Sequence, residues 1–269
     1  MIMKPLCKWS GGKRNEIKLF EDYFPKEYNT FIEPFIGGGA VYFHLNFAGR
    51  NVINDIHPDL VNFYRMISEG HSSDIYDLVS SWGTTENDYY YYRGGGKKVT
   101  IGFKPSNNIE KAAQFYYLRK TCFRGMLRYN SKGGFNIPWG KYKTVDFSNL
   151  KNDEYRKLLE RTEVNLGSYK DIFERYNSPD NFVFLDPPYD SEFNDYGFDD
   201  FNQQSQRDLY ELFITTSNKC MVVISDTPLI RELYGEHIKF VYPKKYSFKI
   251  YGGRVGEEID KNHLVITNY

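Results

Sequence analysis

The sequence offers little that would cross-link the chain or anchor it outside water. Its three cysteines, Cys7, Cys122 and Cys220, lie far apart with no CxxC spacing, which argues against a disulfide framework and a thiolate zinc site. The five histidines, His44, His57, His71, His237 and His263, show no metal-ligand spacing, so no metal cofactor is expected. No run of 18 apolar residues occurs, and the opening MIMKPLCKWSGGKRNE turns polar before a secretory apolar segment could form. A soluble, cytoplasmic protein with no membrane partner is the expectation. Charge of one sign is also lacking, with 35 basic and 35 acidic residues. That balance removes a global pull toward polyanions and leaves the question to local patches. No internal repeat or long linker is apparent.

What is present is an interrupted alternation of strands and helices. TFIEPF, from Thr30, reads as a short strand, IGGG as a turn, and AVYFHLNFAG as a helix ending near Gly49. A second strand, Asn51 to Asn54, precedes a helix that begins around Pro58. After Gly70 the rhythm is lost in the polar stretch SWGTTENDYYYYRGGGKKVTIGFKPSNN, which resists assignment. A helix from Ile109 follows, then a loop or hairpin with turn signals at NSKGG and PWGK. Alternation returns after about Lys151, with strands at NFVFLD, CMVVISD, IKFVYP and HLVITNY.

The expected fold is α/β, a mostly parallel open sheet with flanking helices, interrupted by a mainly helical insert with a hairpin. Residues 1–56 and 148–269 would form the sheet domain, and residues 57–147 the insert. The 24 tyrosines fit either tyrosine-rich cores or a ring-stacking surface.

Two local patterns carry chemistry. EPFIGGG, Glu33 to Gly39, follows a strand and opens a helix, and Gly37 to Gly39 tolerate positive φ and close approach of a ligand. The pattern is neither GxGxxG nor a Walker loop, so phosphate cradling loses ground. Asp55, at the end of the next strand, is placed to accept hydrogen bonds from two ribose hydroxyls. A nucleoside cofactor without pyrophosphate fits this pairing, and S-adenosyl-L-methionine is such a ligand. Phe35 is a candidate for its flat or apolar portions, and KWSGGKR brings Trp9 and Lys13 as further partners.

NFVFLDPPY places Asp186 at the end of a strand expected to be buried on both faces. Pro187 and Pro188 fix φ and lack amide hydrogens, so the chain must project outward before turning. One reading is an ordinary proline turn capping a strand. The other is a platform in which Asp186 and the Pro187 carbonyl accept the two hydrogens of an exocyclic amine such as adenine N6, while Tyr189 stacks on a flipped base.

These strings, together with RGMLRYNSKGGFNIPWGKY, SDTPLIRELY and VITNY, resemble the DNA adenine N6-methyltransferase family of the Dam/DpnM-like D12 class over nearly the whole chain. The resemblance implies a Rossmann-like, S-adenosylmethionine-dependent methyltransferase acting on adenine N6 in duplex DNA by base flipping. It implies a cofactor site of Trp9, Lys13, Phe35, Gly37, Gly39 and Asp55, and a methyl-acceptor site of Asp186, Pro187 and Tyr189. In NLGSY, where some relatives carry an acid, this chain has Gly167 and Ser168, which leaves Ser168 or backbone atoms toward the cofactor.

From Arg119 to Lys143 the chain has seven basic residues and no acid, interleaved with aromatic rings, a local patch able to meet phosphates. Arg128 is the foremost candidate to read a guanine through O6 and N7. The resemblance adds Lys8 for a second guanine and Phe123 as a wedge beside the flipped base. Met126 and Pro138 are candidates for a thymine methyl, and Arg124, Asn130 and Tyr142 for phosphate or for securing the loop. GATC is the first target these residues suggest. A monomer is expected, with double-stranded DNA as partner and a separate cognate restriction endonuclease as a possible companion in a restriction-modification pair. Methylation of adenine in structured RNA, or an inactive DNA-binding protein, are the competing readings.

Overall fold

The computed structural model describes residues 3–131, 133–189, 201–246 and 259–269. Among them, in chain order, are α1 (Ile17–Phe20), β1 (Thr30–Glu33), α2 (Ala40–Leu45), β2 (Arg50–Asp55), α3 (Pro58–Ser68), α4 (Ser72–Ser81), α5 (Glu86–Tyr92) and α6 (Asn108–Thr121). There follow α7 (Asp153–Glu160), β3 (Thr162–Leu166), α8 (Tyr169–Arg175), β4 (Asn181–Leu185), α9 (Gln203–Thr215), β5 (Lys219–Ser225), α10 (Pro228–Tyr234), β6 (Ile238–Tyr246) and β7 (Ile259–Thr267). The strands are ordered β3-β2-β1-β4-β5-β7-β6 in one sheet. β2 is parallel to β3, and β4 is parallel to both β1 and β5, whereas β7 runs antiparallel to β5 and β6. This is the mostly parallel α/β architecture implied by the alternation, with helices α3 to α7 between β2 and β3.

The described residues form two compact units, one from 3–14, 33–131 and 133–169, the other from 15–32, 170–189, 201–246 and 259–269. In the first, aromatic residues make the core. Phe63 on α3 stacks on Tyr116 of α6 with ring centroids 5.1 Å apart, and Trp82 stacks on Tyr92 at 4.0 Å. Tyr42, Tyr64, Tyr89, Tyr116 and Tyr117 are fully buried, so these tyrosines serve packing. In the second unit every residue of β4 is buried, and Phe182 and Phe184 pack against Phe24 and Phe20. Each such ring contributes roughly 1.5–3 kcal/mol.

Three boundaries depart from the sequence expectation, each for a local reason. α2 stops at Leu45, short of Gly49, because Asn46 takes a left-handed conformation with φ 41° and ends the helix. The unassigned polar stretch contains α5, nucleated by a capping box in which Thr85 and Asp88 satisfy each other's backbone N–H. α6 begins one residue before Ile109, where Asn107 caps it through Glu110 N. The acidic stretch from Asp190 to Asp200, the turn expected at Gly252-Gly253, and Lys132 lie outside the described residues.

Candidate active site

In the first unit, the turns after β1, β2 and β3 are tied together by the dipeptide Asn54-Asp55. Asn54 Nδ2 donates to the carbonyls of Pro34 and Gly167, at 3.0 and 2.9 Å. Asp55 Oδ2 accepts from Gly37 N and Oδ1 from His57 N, both at 2.9 Å. The Gly37 carbonyl in turn accepts from the buried Tyr64 hydroxyl at 2.9 Å. Gly37 has φ +45°, and a Cβ there would stand 2.7 Å from Trp9 Cδ1. Glycine is therefore required both by backbone geometry and by the indole lying against the turn.

Asp55 is half-buried, and desolvation pushes its carboxyl up to about 6 in spite of the opposing hydrogen bonds from the backbone of His57, Gly37 and Ile56. A carboxylate has about four acceptor positions, and the backbone bonds from Gly37 and His57 at 2.9 Å take one on each oxygen, so acceptor capacity remains for a ligand hydroxyl. Phe35, also half-buried, pairs with Tyr169 at 5.2 Å. Ser168 is half-buried in the turn beyond β3. Lys13 is buried, and its Nζ donates to the Gly11 carbonyl at 3.1 Å. Gly39, with φ +69°, packs on the Phe43 ring, where a Cβ would meet Cε2 at 2.9 Å.

In the second unit, Asp186 and Tyr189 are half-buried and Pro187 is buried directly after the enclosed strand β4. The Pro188 carbonyl accepts from Gln206 Nε2 of α9 at 2.9 Å. The Tyr189 ring meets His263 edge-on, with centroids 5.8 Å apart. His263 is itself held by Glu16 at 2.7 Å, and Glu16 also accepts from the Tyr242 hydroxyl at 2.8 Å and pairs with Lys244. The platform thus stands on a buried strand and a buried polar network.

The candidate DNA-contacting residues fall on one loop system of the first unit, together with Lys8. Bridges Cys122↔Trp139 and Tyr129↔Phe135 make the expected hairpin, whose tip is closed by Asn130 and Gly134. Phe123 N donates to the Pro138 carbonyl at 2.8 Å. Lys8, Arg124, Met126, Arg128 and Asn130 are exposed, and Lys8 Nζ lies 5.0 Å from the centre of the Tyr142 ring. Arg128 Nε donates to Asn136 Oδ1 at 2.7 Å and Nη2 to the Asn136 carbonyl at 3.4 Å, which leaves Nη1 and the second hydrogen of Nη2 to donate elsewhere. Arg124 has φ +54°, a region in which asparagine is enriched. Arg119 departs from the expected basic surface. It is buried, donates to the Lys8 carbonyl and lies 5.1 Å over the Trp9 ring.

Residues 9–249 match the family described as D12 class N6 adenine-specific DNA methyltransferase. The chain belongs to that family. The D12-class chain is 50% identical over 268 residues to the "Type II methyltransferase M.CviBI" of Paramecium bursaria Chlorella virus NC1A, covering 99% of this chain and 100% of the relative. It is 35% identical to the "Type II methyltransferase M.MjaIII" of Methanocaldococcus jannaschii, over 77% of this chain and 78% of that one. It is 31% identical to the "DNA adenine methylase" of Haemophilus influenzae, over 86% and 82%.

Several residues of this methyltransferase escape a sequence reading. Ile56 and Leu166, 42% and 50% exposed, are apolar side chains beside the ends of β2 and β3, where a flat ring could rest. For Ile56 the signal was an apolar residue immediately after a strand-end acid, Asp55; Leu166, which follows Asn165, had none. Glu33 is buried, and its Oε2 accepts from Tyr42 N at 3.0 Å, capping α2 from the strand before it. Asn136 and Gln206 carried no sequence signal, since their roles depend on distant partners. Among the described residues there is no group of three or more His, Cys, Asp and Glu side chains able to hold a metal ion, and no helix long and apolar enough to cross a membrane.

Proposed function

We propose that the chain is a site-specific DNA adenine N6-methyltransferase that uses S-adenosyl-L-methionine and acts on an adenine flipped from a short duplex site, GATC being the first target. The observation that carries the reading is the rigid Asp186-Pro187-Pro188-Tyr189 platform at the end of buried β4, in a chain of this family. When bound, the cofactor supplies an electropositive methyl group on a sulfonium that departs as a neutral thioether.

The residues of the first unit fit such a ligand. Asp55 would accept the ribose hydroxyls, and Phe35, Ile56 and Leu166 would present apolar faces. Trp9, Lys13, Gly37, Gly39 and Ser168 would line the remainder. Asp186 and the Pro187 carbonyl would each accept one hydrogen of the adenine amine, drawing its lone pair out of conjugation. Tyr189 would stack on the base. Asp186 need not be a strong base, because the amine acidifies as the new bond forms; orientation and electrostatic stabilisation supply the gain.

Arg128 and Lys8 would read guanines, Met126 and Pro138 a thymine methyl, and Phe123 would occupy space near the flipped base. Arg124, Asn130 and Tyr142 would meet phosphate or brace the loop. Double-stranded DNA is then the partner of a monomeric enzyme, and the Type II designation of two relatives supports a separate cognate endonuclease. The test is methylation of a mixed DNA library with labelled cofactor, followed by mapping of modified adenines. Asp186→Ala should abolish most transfer and retain nonspecific DNA binding. Normal turnover in that variant would remove the assignment.

A further inference from the structure

The tetrapeptide after β4 has few ways to be held. Two successive prolines remove two backbone N–H groups, so its carbonyls become the main handles for the rest of the protein. One of them, the Pro188 carbonyl, accepts from Gln206 Nε2 at 2.9 Å. Gln206 lies in the opening turns of α9 and is 0% exposed. The start of that helix is fixed by a capping box between Asn202 and Ser205, so the amide reaches the tetrapeptide from a rigid base.

The other end of the same amide is out of place in a packing role. Gln206 Oε1 is buried and has no hydrogen-bond partner among the described residues. A buried acceptor left unsatisfied is destabilising, and an apolar side chain of similar volume would avoid that loss. The amide is therefore retained for what Nε2 does at Pro188.

We propose that Gln206 is a positioning residue for methyl transfer: by holding the Pro188 carbonyl it fixes the peptide plane joining Pro188 to Tyr189. Tyr189 is thereby aimed for stacking, and the Pro187 carbonyl remains available to the substrate amine. This inference rests on the methyl-transfer reading of the tetrapeptide. Gln206 touches neither substrate nor cofactor in this scheme; it acts through the main chain.

Two variants test it, with Asp186→Ala as the inactive control. Gln206→Met keeps the length and removes the donor. It should lower kcat by about 10- to 100-fold, the scale of a misplaced reacting group, with cofactor affinity within about twofold of wild type, since no cofactor contact is altered. Gln206→Glu gives a readout that a packing role would not move. An ionised carboxylate cannot donate to a carbonyl, whereas a protonated one can, and burial raises its pKa above the usual value of about 4.3. The kcat ratio of Gln206→Glu to wild type should therefore climb as pH falls from about 8 to about 6, while the ratio for Gln206→Met stays flat.

With 2-aminopurine at the target position, both variants at high pH should show altered fluorescence of the extrahelical base. Wild-type kcat in both variants overturns the proposal. So does an equal loss in both whose ratio to wild type does not vary with pH, which would mark Gln206 as packing alone. If the wild-type chain itself transfers no methyl group to an adenine-containing DNA library, the functional reading fails first and takes this inference with it.

Discussion

Cofactor affinity should depend on pH through Asp55. Its carboxyl is pushed up to about 6 by burial, and binding would use the ionised form, because ribose hydroxyls donate to a carboxylate. At pH 7 roughly nine-tenths of such a group is ionised, and at pH 5 roughly one-tenth, so the apparent Kd should weaken about tenfold across that interval. His57, whose Nδ1 accepts from Leu60 N, has its pKa lowered to about 4 by desolvation and by the Arg119 charge, and so stays neutral throughout.

Stability of the free protein is the wrong readout. A carboxyl with a raised folded pKa contributes stability that is fully present below about 3.8 and is lost as pH rises through about 6. A histidine with a lowered folded pKa works the other way, and stability falls as pH drops from about 6.5 toward 4. The two oppose each other in the same window, whereas the affinity change belongs to Asp55 alone. The assay is calorimetric titration with S-adenosylhomocysteine from pH 5 to 7.5, on wild type and Asp55→Asn. A flat wild-type profile, or full affinity in the asparagine variant, would refute the reasoning.

Three further outcomes are expected. Arg128→Ala should reduce discrimination at one guanine by about 1–3 kcal/mol with little change in cofactor affinity, measured by competition between correct and substituted sites. Equal losses on all sites would count against it. Asn136→Ala should weaken discrimination at the same base pair by a smaller amount, since it frees Arg128 Nε while leaving the guanidinium in place; a loss at a different position would contradict this coupling. Tyr129→Phe removes the partner of His57 Nε2, now 2.9 Å away, and should destabilise the first unit by about 1–2 kcal/mol in a urea titration. An unchanged midpoint would show that the hydroxyl contributes nothing there.

Much of the backbone framework of the candidate site was legible in short strings because its constraints are local. A glycine turn between strand and helix, an acid ending the next strand and two prolines after an apolar run each constrain the backbone within a few residues. The same holds for the start of α3, where Pro58 follows a capping His57. α5 was hidden because its signal, the Thr85–Asp88 capping box, sits among glycines and tyrosines that read equally well as loop.

The sequence by itself determined the strand-turn-helix opening, the strand that delivers Asp186 and the family of the chain. Tertiary structure decided which side chains serve those features. Asn54 fastens turns to either side of it in the fold, one of them 113 residues away. Arg119 left a basic stretch for the interior to meet the Lys8 carbonyl, 111 residues off, and Gln206 found Pro188 across 18 residues of chain. Backbone preference is set by neighbours along the chain, but a buried polar group must find a partner wherever folding places one, and that choice has no fixed spacing in sequence.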